Sequence, residues 1–148
     1  MQRIALIFSA FVSVSLLGYV VPAQAAGSAS IIQPDALTWA PAKGVPPGAQ
    51  VAVLYGNPSK KGPFAIRFKF PAGYKIPTHA HGTDEFLTVV SGKARMAFGK
   101  DADAAHTQPF PTGAFMILPA RSWHHLWSDA ETIIELHSTG PFSIKLAK

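Results

Sequence analysis

Cysteine is absent from the 148-residue sequence. Disulfide bonds, thiolate metal ligands and cysteine nucleophiles are therefore excluded, and the fold must be held together by its core alone. Charged residues are also scarce, at 14% of the chain, and the only adjacent basic pair is Lys60-Lys61. A nucleic-acid partner or a charged membrane surface would need a stripe of Lys and Arg, so the net charge of +5 indicates a solvated surface and excludes both.

One long hydrophobic run is present, and it lies at the N-terminus. Arg3 precedes the apolar residues 4–21, and residues 22–25 (PAQA) have the small-x-small pattern of a cleavage site. We expect residues 1–25 to be a secretory signal peptide cut after Ala25, which makes the mature protein periplasmic or secreted and free of the membrane. The alternative is an uncleaved anchor, but the run only just reaches spanning length and its serines weaken it.

The rest of the chain reads as short strands separated by Gly and Pro. Residues 64–70 and 131–137 each contain apolar side chains that recur with a period of two, and residues 91–93 (SGK) are typical of a hairpin turn. No long stretch after the signal segment has the 3.6-residue period of an amphipathic helix. The predicted organisation is one all-β domain at residues 51–148, preceded by an irregular, Pro-rich arm at residues 26–50.

Three side chains that favour divalent metals lie close together in the sequence. His79 and His81 are two residues apart, so in a strand they project from the same face. Glu85 shares their parity if the chain stays extended through residues 82–84. Imidazole and carboxylate ligands together suit Fe, Mn, Ni, Cu or Zn, and a fourth ligand could come from His124 or His125. Only one of these two neighbours can enter the interior of a barrel, because adjacent strand residues face opposite ways.

The spacing of these residues resembles the first motif of the cupins. That motif is Gly, five residues, His-x-His, three or four residues, Glu, six residues and Gly, and it is filled by Gly73, His79, His81, Glu85 and Gly92. The resemblance implies a double-stranded β-helix, the jelly-roll barrel of small single-domain cupins, with one divalent metal ion inside it.

The second cupin motif matches in part. Gly113, Pro119 and His124 occupy its positions, whereas Arg121 replaces a Gly and Ser128 replaces an Asn. The resemblance therefore favours His124 over His125 as the fourth ligand. A turn that needs a positive φ angle would cost Arg121 about 1 kcal/mol or more relative to Gly, so we expect this turn to be remodelled.

Fold resemblance does not name a reaction, since cupins include dioxygenases, decarboxylases, isomerases, lyases and binding proteins. Three histidines and one glutamate would leave up to two positions open on a six-coordinate ion, which favours a reactive site over a structural one. The main prediction is an exported metal-dependent oxidoreductase of the dioxygenase type, acting on a small organic molecule. The alternatives are a non-catalytic binding or sensing cupin and a non-redox metal-dependent lyase or hydrolase.

Two further expectations concern the surroundings of the site. Cupins are commonly dimers, so the resemblance also implies a homodimer. Acid–base candidates are only weakly indicated, and they are Arg67, Tyr74, Trp123, Glu135 and His137.

Overall fold

The computed structural model describes residues 29–102 and 104–147, and the predicted signal peptide at residues 1–25 lies outside them. The described chain is built almost entirely of β-strands. In chain order these are β1 (Ala40–Pro41), β2 (Gln50–Tyr55), β3 (Gly62–Phe70), β4 (Lys75–His81), β5 (Glu85–Ser91), β6 (Lys93–Phe98), β7 (Gln108–Pro111), β8 (Phe115–Leu118), β9 (His124–Ser128), β10 (Thr132–Gly140) and β11 (Ile144–Leu146). The helical segments within the described ranges are two single 3-10 turns, Pro34–Ala36 and Ala104–His106. None of the described helices is long and apolar enough to cross a membrane.

The strands form two antiparallel sheets. The six-stranded sheet has the order β1-β2-β3-β10-β5-β8, and the five-stranded sheet has the order β11-β4-β9-β6-β7. The chain passes from one sheet to the other between β3 and β4, between β4 and β5, and again between β5 and β6. This repeated exchange between two facing sheets is the jelly roll. The predicted all-β jelly-roll fold is confirmed.

The hydrophobic core lies between the inner faces of the two sheets. Phe64, Ile66 and Phe70 of β3 point inward and are at most 2% exposed, and Ile134 and Leu136 of β10 lie on the same inner face. The period of two predicted for these segments is therefore confirmed. Burying a side chain of this size contributes about 1.5–3 kcal/mol relative to leaving it in water. The five-stranded sheet adds Ile76, Ala94, Met96 and Leu126 to the same core.

The hairpin between β5 and β6 turns at Gly92. This residue has a φ of +88°, and a Cβ atom built on it would lie only 2.2 Å from the carbonyl oxygen of Glu131. Both the backbone conformation and the close approach of β10 require glycine here. The closing Gly of the first motif therefore has a structural reason that is independent of metal binding.

The turn before β9 differs from the expectation at Arg121. Arg121 has a φ of 67°, which is the left-handed conformation that glycine adopts readily, so the expectation of a remodelled turn was wrong. Its N–H donates to the carbonyl oxygen of His81 at 2.8 Å, and the N–H of Ser122 donates to Pro119 at 3.1 Å. The conformation costs about 1–2 kcal/mol in a residue other than glycine. The hydrogen bond to β4 offsets part of that cost.

Part of the Pro-rich arm packs against the sheets. A compact unit spans Ile31–Lys148, and within it β1 pairs with β2. The N–H of Ala42 donates to the carbonyl oxygen of Ala49 at 2.9 Å, and Ala49 itself is buried in the core. The hydroxyl of Tyr74 donates to the carbonyl oxygen of Pro46. The arm is thus fixed at both its paired strand and its proline-rich middle.

Candidate metal centre

Three buried histidines meet on the inner face of the five-stranded sheet. His79 and His81 are two apart on β4 and share a face, as predicted, and His124 of β9 lies directly opposite His79 in the strand register. Their ring centroids are 4.1 Å apart for His79 and His124, 5.0 Å for His79 and His81, and 5.6 Å for His81 and His124. One ring nitrogen from each lies within 4.8 Å of the others, close enough to share one ion.

Glu85 reaches this group from the other sheet. The chain bends at residues 82–84 and enters the six-stranded sheet, so Glu85 faces the histidines across the interior rather than along one extended strand. It is 3% exposed. Its Oε1 is 3.5 Å from Nε2 of His81, and its Oε2 is 3.8 Å from Nε2 of His124. We refer to His79, His81, Glu85 and His124 as the four-residue cluster.

A hydrogen bond to the main chain orients each histidine of the cluster. In all three rings Nδ1 lies at hydrogen-bond distance from a carbonyl oxygen, so it carries the proton and donates. The acceptors are Pro77 for His79 at 2.8 Å, Ser143 for His81 at 2.9 Å and Ser122 for His124 at 2.9 Å. Nε2 of each ring is then the unprotonated nitrogen. Metal-binding histidines are held in this way in proteins, which fixes both tautomer and ring orientation.

Burial sets the protonation of the cluster. Burial, aided by the neighbouring His124, lowers the pKa of His79 to about 3 and that of His81 to about 4. Burial also lowers the pKa of His124, and it raises the pKa of Glu85 to about 8. Without an ion the cluster near neutral pH therefore consists of three neutral imidazoles and a protonated carboxyl. Neutral imidazole is the form that binds metals.

The structure shows which of the neighbouring residues His124 and His125 faces the interior. His124 is 3% exposed and points inward, whereas His125 lies on the opposite face of β9. The ring of His125 stacks on Trp127 with centroids 3.6 Å apart and planes 3° from parallel. His124 is thus the one brought to His79 and His81.

The weakly indicated acid–base candidates lie away from the cluster. Glu135 on β10 forms an ion pair with Arg67 at 2.8 Å, and His137 contacts the same carboxylate at 2.8 Å. These three residues are paired with one another on the outer face of the six-stranded sheet. Tyr74 supports the arm, and Trp123 lies beside Lys145 outside the barrel interior. None of the five lines the cavity described next.

A cavity of about 500 Å³ opens above the four-residue cluster. Most of its wall is formed by inward side chains of both sheets, among them Ile66, Phe68, Met96 and Leu126. The arm at residues 41–45 and the segment at 142–144 line it as well. The strand contribution follows from the alternation of apolar residues. The contribution of the arm could not be predicted, because its position depends on contacts with distant strands.

The comparisons with known proteins agree with this architecture. The sequence profile of the family described as the ChrR cupin-like domain matches residues 28–143. No curated protein matches the chain by sequence.

Similar solved structures carry different functions. The polyketide cyclase RemF from Streptomyces resistomycificus has a TM-score of 0.68 at 11% identity, covering 82% of this chain and 87% of that one. A candidate acetylacetone dioxygenase from Methylibium petroleiphilum has a TM-score of 0.64 at 20% identity, covering 81% and 83%. A cupin-2 domain from Rhodospirillum rubrum has a TM-score of 0.61 at 12% identity, covering 82% of each chain. Likeness at such identities establishes the fold alone.

Proposed function

The chain belongs to the family of ChrR cupin-like domains, and on this premise we propose that it is a metal-dependent oxidoreductase of the dioxygenase type, exported from the cytoplasm and acting on a small organic molecule. The observation that carries the proposal is the four-residue cluster beneath an apolar cavity. Three imidazole nitrogens and one carboxylate form a donor set that suits Fe, Mn, Ni, Cu or Zn.

The residues of the chain have separate tasks in this proposal. A divalent ion bound at the cluster would supply Lewis acidity and, for iron or manganese, a change of oxidation state. His79, His81 and His124 hold it through Nε2, because each Nδ1 is engaged with a carbonyl oxygen. Glu85 adds a carboxylate once it has lost its proton. The apolar walls orient the substrate and keep water away from the cluster.

The first prediction concerns metal content. The purified mature chain should retain about one divalent ion, and His81→Ala should lose most of it, because the variant removes one donor and its anchoring bond to Ser143. Elemental analysis of both proteins measures this. His137→Ala is the matched control, since His137 lies on the outer face and should leave the metal content unchanged. Equal metal content in the wild type and His81→Ala would rule out the proposal.

An oxygen assay tests the reaction class. A dioxygenase places both atoms of O₂ in the product, so each turnover should consume one O₂ and need no added reductant. A library of small organic molecules is incubated with the metal-loaded chain in air and under anaerobic conditions, and an oxygen electrode and mass spectrometry follow the reaction. Turnover that is equal with and without O₂ would favour a non-redox lyase or hydrolase instead.

A non-catalytic binding or sensing cupin is the second candidate. It is favoured by the lining of the cavity, where Lys43 is the only described side chain outside the four-residue cluster that could act as a general acid or base. A ligand that binds and is recovered unchanged from the metal-loaded protein would support this function.

The proposed export has its own test. The similarity of residues 1–25 to a secretory signal supports it. Mass spectrometry of the protein recovered from its producing cells should find a chain that starts at Ala26 in the envelope or external fraction, and full-length protein in the cytoplasmic fraction would contradict export.

A further inference from the structure

The lining of the cavity restricts what it can hold. The described residues that line it are mostly aliphatic and aromatic, and outside the four-residue cluster the polar side chains among them are Lys43, Ser59 and Ser143. All three of these side chains are exposed, so they lie at the rim rather than in the walls. The cavity is therefore polar at the cluster, apolar along its walls and polar again at its opening.

Such a wall disfavours a ligand with many hydroxyl groups. A hydroxyl placed against Phe68, Met96 or Leu126 would lose its hydrogen bonds to water and find no partner. Each such unpaired group lowers affinity by roughly tenfold. Sugars and nucleotides would place several groups in this position. An aliphatic or aromatic body would bury apolar surface at no such loss.

Among the described residues that line the cavity, one basic side chain lies at the rim. Lys43 follows Ala42, whose N–H is bonded to Ala49, and precedes Gly44, whose added Cβ would lie 3.0 Å from Cγ2 of Ile144. The arm is thus packed against β11 at this point, and Lys43 is held at the edge of the opening. No carboxylate of a described residue lies within 4.0 Å of its ammonium group.

We infer that the cavity binds a small, largely apolar monoanion, with its body between the two sheets and its anionic group beside Lys43. The inference rests on the proposed function in one respect, since the anion would bind in the cavity that the proposed function assigns to the substrate. The body contacts the apolar walls, while the anionic group stays at the rim, where it pairs with the ammonium and remains partly hydrated. The far end of the body then faces the four-residue cluster.

The test uses three probes of matched size or charge. These are 4-phenylbutanoate, its neutral analogue 4-phenylbutan-1-ol, and D-gluconate, a monoanion with many hydroxyl groups. Isothermal titration calorimetry measures their binding to the whole mature chain after treatment with EDTA, so that a carboxylate cannot be captured by an ion. Phenylbutanoate should bind at least a hundredfold more tightly than gluconate.

Variants test where the anionic group and the apolar body of the ligand bind. Lys43→Gln should weaken phenylbutanoate by three- to tenfold and leave phenylbutanol unchanged. Lys61→Gln removes an exposed lysine away from the cavity and should change neither. Val45→Trp fills the rim from a half-buried position in the arm and should weaken both phenyl probes. Far-ultraviolet circular dichroism confirms that each variant is folded.

The outcomes separate this inference from the proposed function. Binding of gluconate as tight as that of phenylbutanoate, equal losses of acid and alcohol in Lys43→Gln, or no binding of either phenyl probe would overturn the inference. A chain that binds phenylbutanoate but retains no metal would keep the inference and end the proposed oxidoreductase. A chain that retains metal but prefers gluconate would do the reverse.

Discussion

Burial shifts the pKa of Glu85 in the opposite direction from the pKa values of the three histidines around it. Its pKa is raised to about 8 by burial, whereas those of His79 and His81 are lowered to about 3 and 4. His79 and His81 are therefore neutral, and ready to bind an ion, at any pH above about 5. The carboxyl must first lose a proton, so Glu85 should control how metal affinity depends on pH.

The affinity for a divalent ion should rise with pH between 6 and 8. Below its pKa of about 8 Glu85 holds a proton that the ion must displace, so affinity should increase by about tenfold per pH unit and level off above pH 8. Competition titrations with Zn²⁺ at pH 6, 7 and 8 measure the slope. In Glu85→Gln affinity should be lower and almost independent of pH. An unchanged slope in this variant would show that another group is titrating.

The identities of the cluster residues could be predicted from spacing, but the route to Glu85 could not. The two-residue interval between His79 and His81 is enough to place both on one face of a strand. Glu85 was assigned by parity along one extended strand, whereas the chain bends and changes sheet before it. Its place opposite the histidines depends on how two sheets face each other, and local sequence does not encode that.

At the scale of elements, two hydrogen bonds connect the segments that carry the cluster. Oδ1 of Asp84, in the bend between β4 and β5, accepts from the N–H of Ala120 at 2.7 Å. The N–H of Arg121 donates to the carbonyl oxygen of His81 at 2.8 Å. The bend that separates His81 from Glu85 is thereby joined to the turn that precedes His124. The relative position of the three strands depends on these contacts.

Removing the hydrogen bond that Asp84 accepts from Ala120 should hold the cluster residues less firmly in place, while all four metal-binding side chains remain. Asp84→Ala should lower metal affinity by about tenfold and the free energy of unfolding by about 1 kcal/mol, since outer contacts of this kind position the ligands. Asp84→Asn keeps an oxygen acceptor and should lose less. Metal titration measures the affinity, the visible spectrum of the Co²⁺-loaded protein reports the geometry at the cluster, and urea denaturation measures the free energy of unfolding.

Asp129→Ala is the control for overall stability. Asp129 pairs with Arg95 at 2.9 Å and has no contact with the cluster, so this variant should change the unfolding free energy slightly and the metal affinity not at all. Equal metal affinity in Asp84→Ala and the wild type would mean that the bend is held by other contacts.

Elements were predictable where the pattern is local. The strands at residues 64–70 and 131–137 follow from alternation, and the hairpin follows from Gly92. Arg121 shows the opposite case: its left-handed backbone is disfavoured locally and is held by a hydrogen bond to β4. The local sequence shows that this conformation is unfavourable for Arg121, but the hydrogen bond that offsets the unfavourable free energy is made to a strand that is distant in the sequence.

At the scale of the whole molecule, the buried cluster should give the metal-free chain a maximum of stability near pH 6.5. In the unfolded chain His79 and His81 take up protons below about pH 6.5, while in the folded chain they do not until pH falls to about 4 or 3, so stability falls on the acid side. Glu85 acts oppositely. Its folded pKa of about 8 exceeds the ordinary value of 4.5, so stability falls by about 1.4 kcal/mol per pH unit as pH rises toward 8.

Between pH 4.5 and 6.5 the histidines outnumber the single glutamate, which places the maximum at the upper end of that interval. Urea denaturation of the EDTA-treated chain from pH 5 to pH 9 measures the profile. In Glu85→Gln the decline above pH 6.5 should disappear. A wild-type profile that continues to rise up to pH 9 would contradict the prediction.

The division of the cluster between two sheets also bears on motion. His79, His81 and His124 belong to one sheet and Glu85 to the other, so an ion bound by all four would join the two sheets at one end of the barrel. Gly92 lies just past the other end of β5, seven residues after Glu85, where the N–H of Lys93 on β6 donates to Oγ1 of Thr132 on β10 at 3.1 Å and joins the two sheets as well. With an ion bound, the two sheets should consequently be joined at both ends of β5, by the ion at Glu85 and by the hairpin at Gly92.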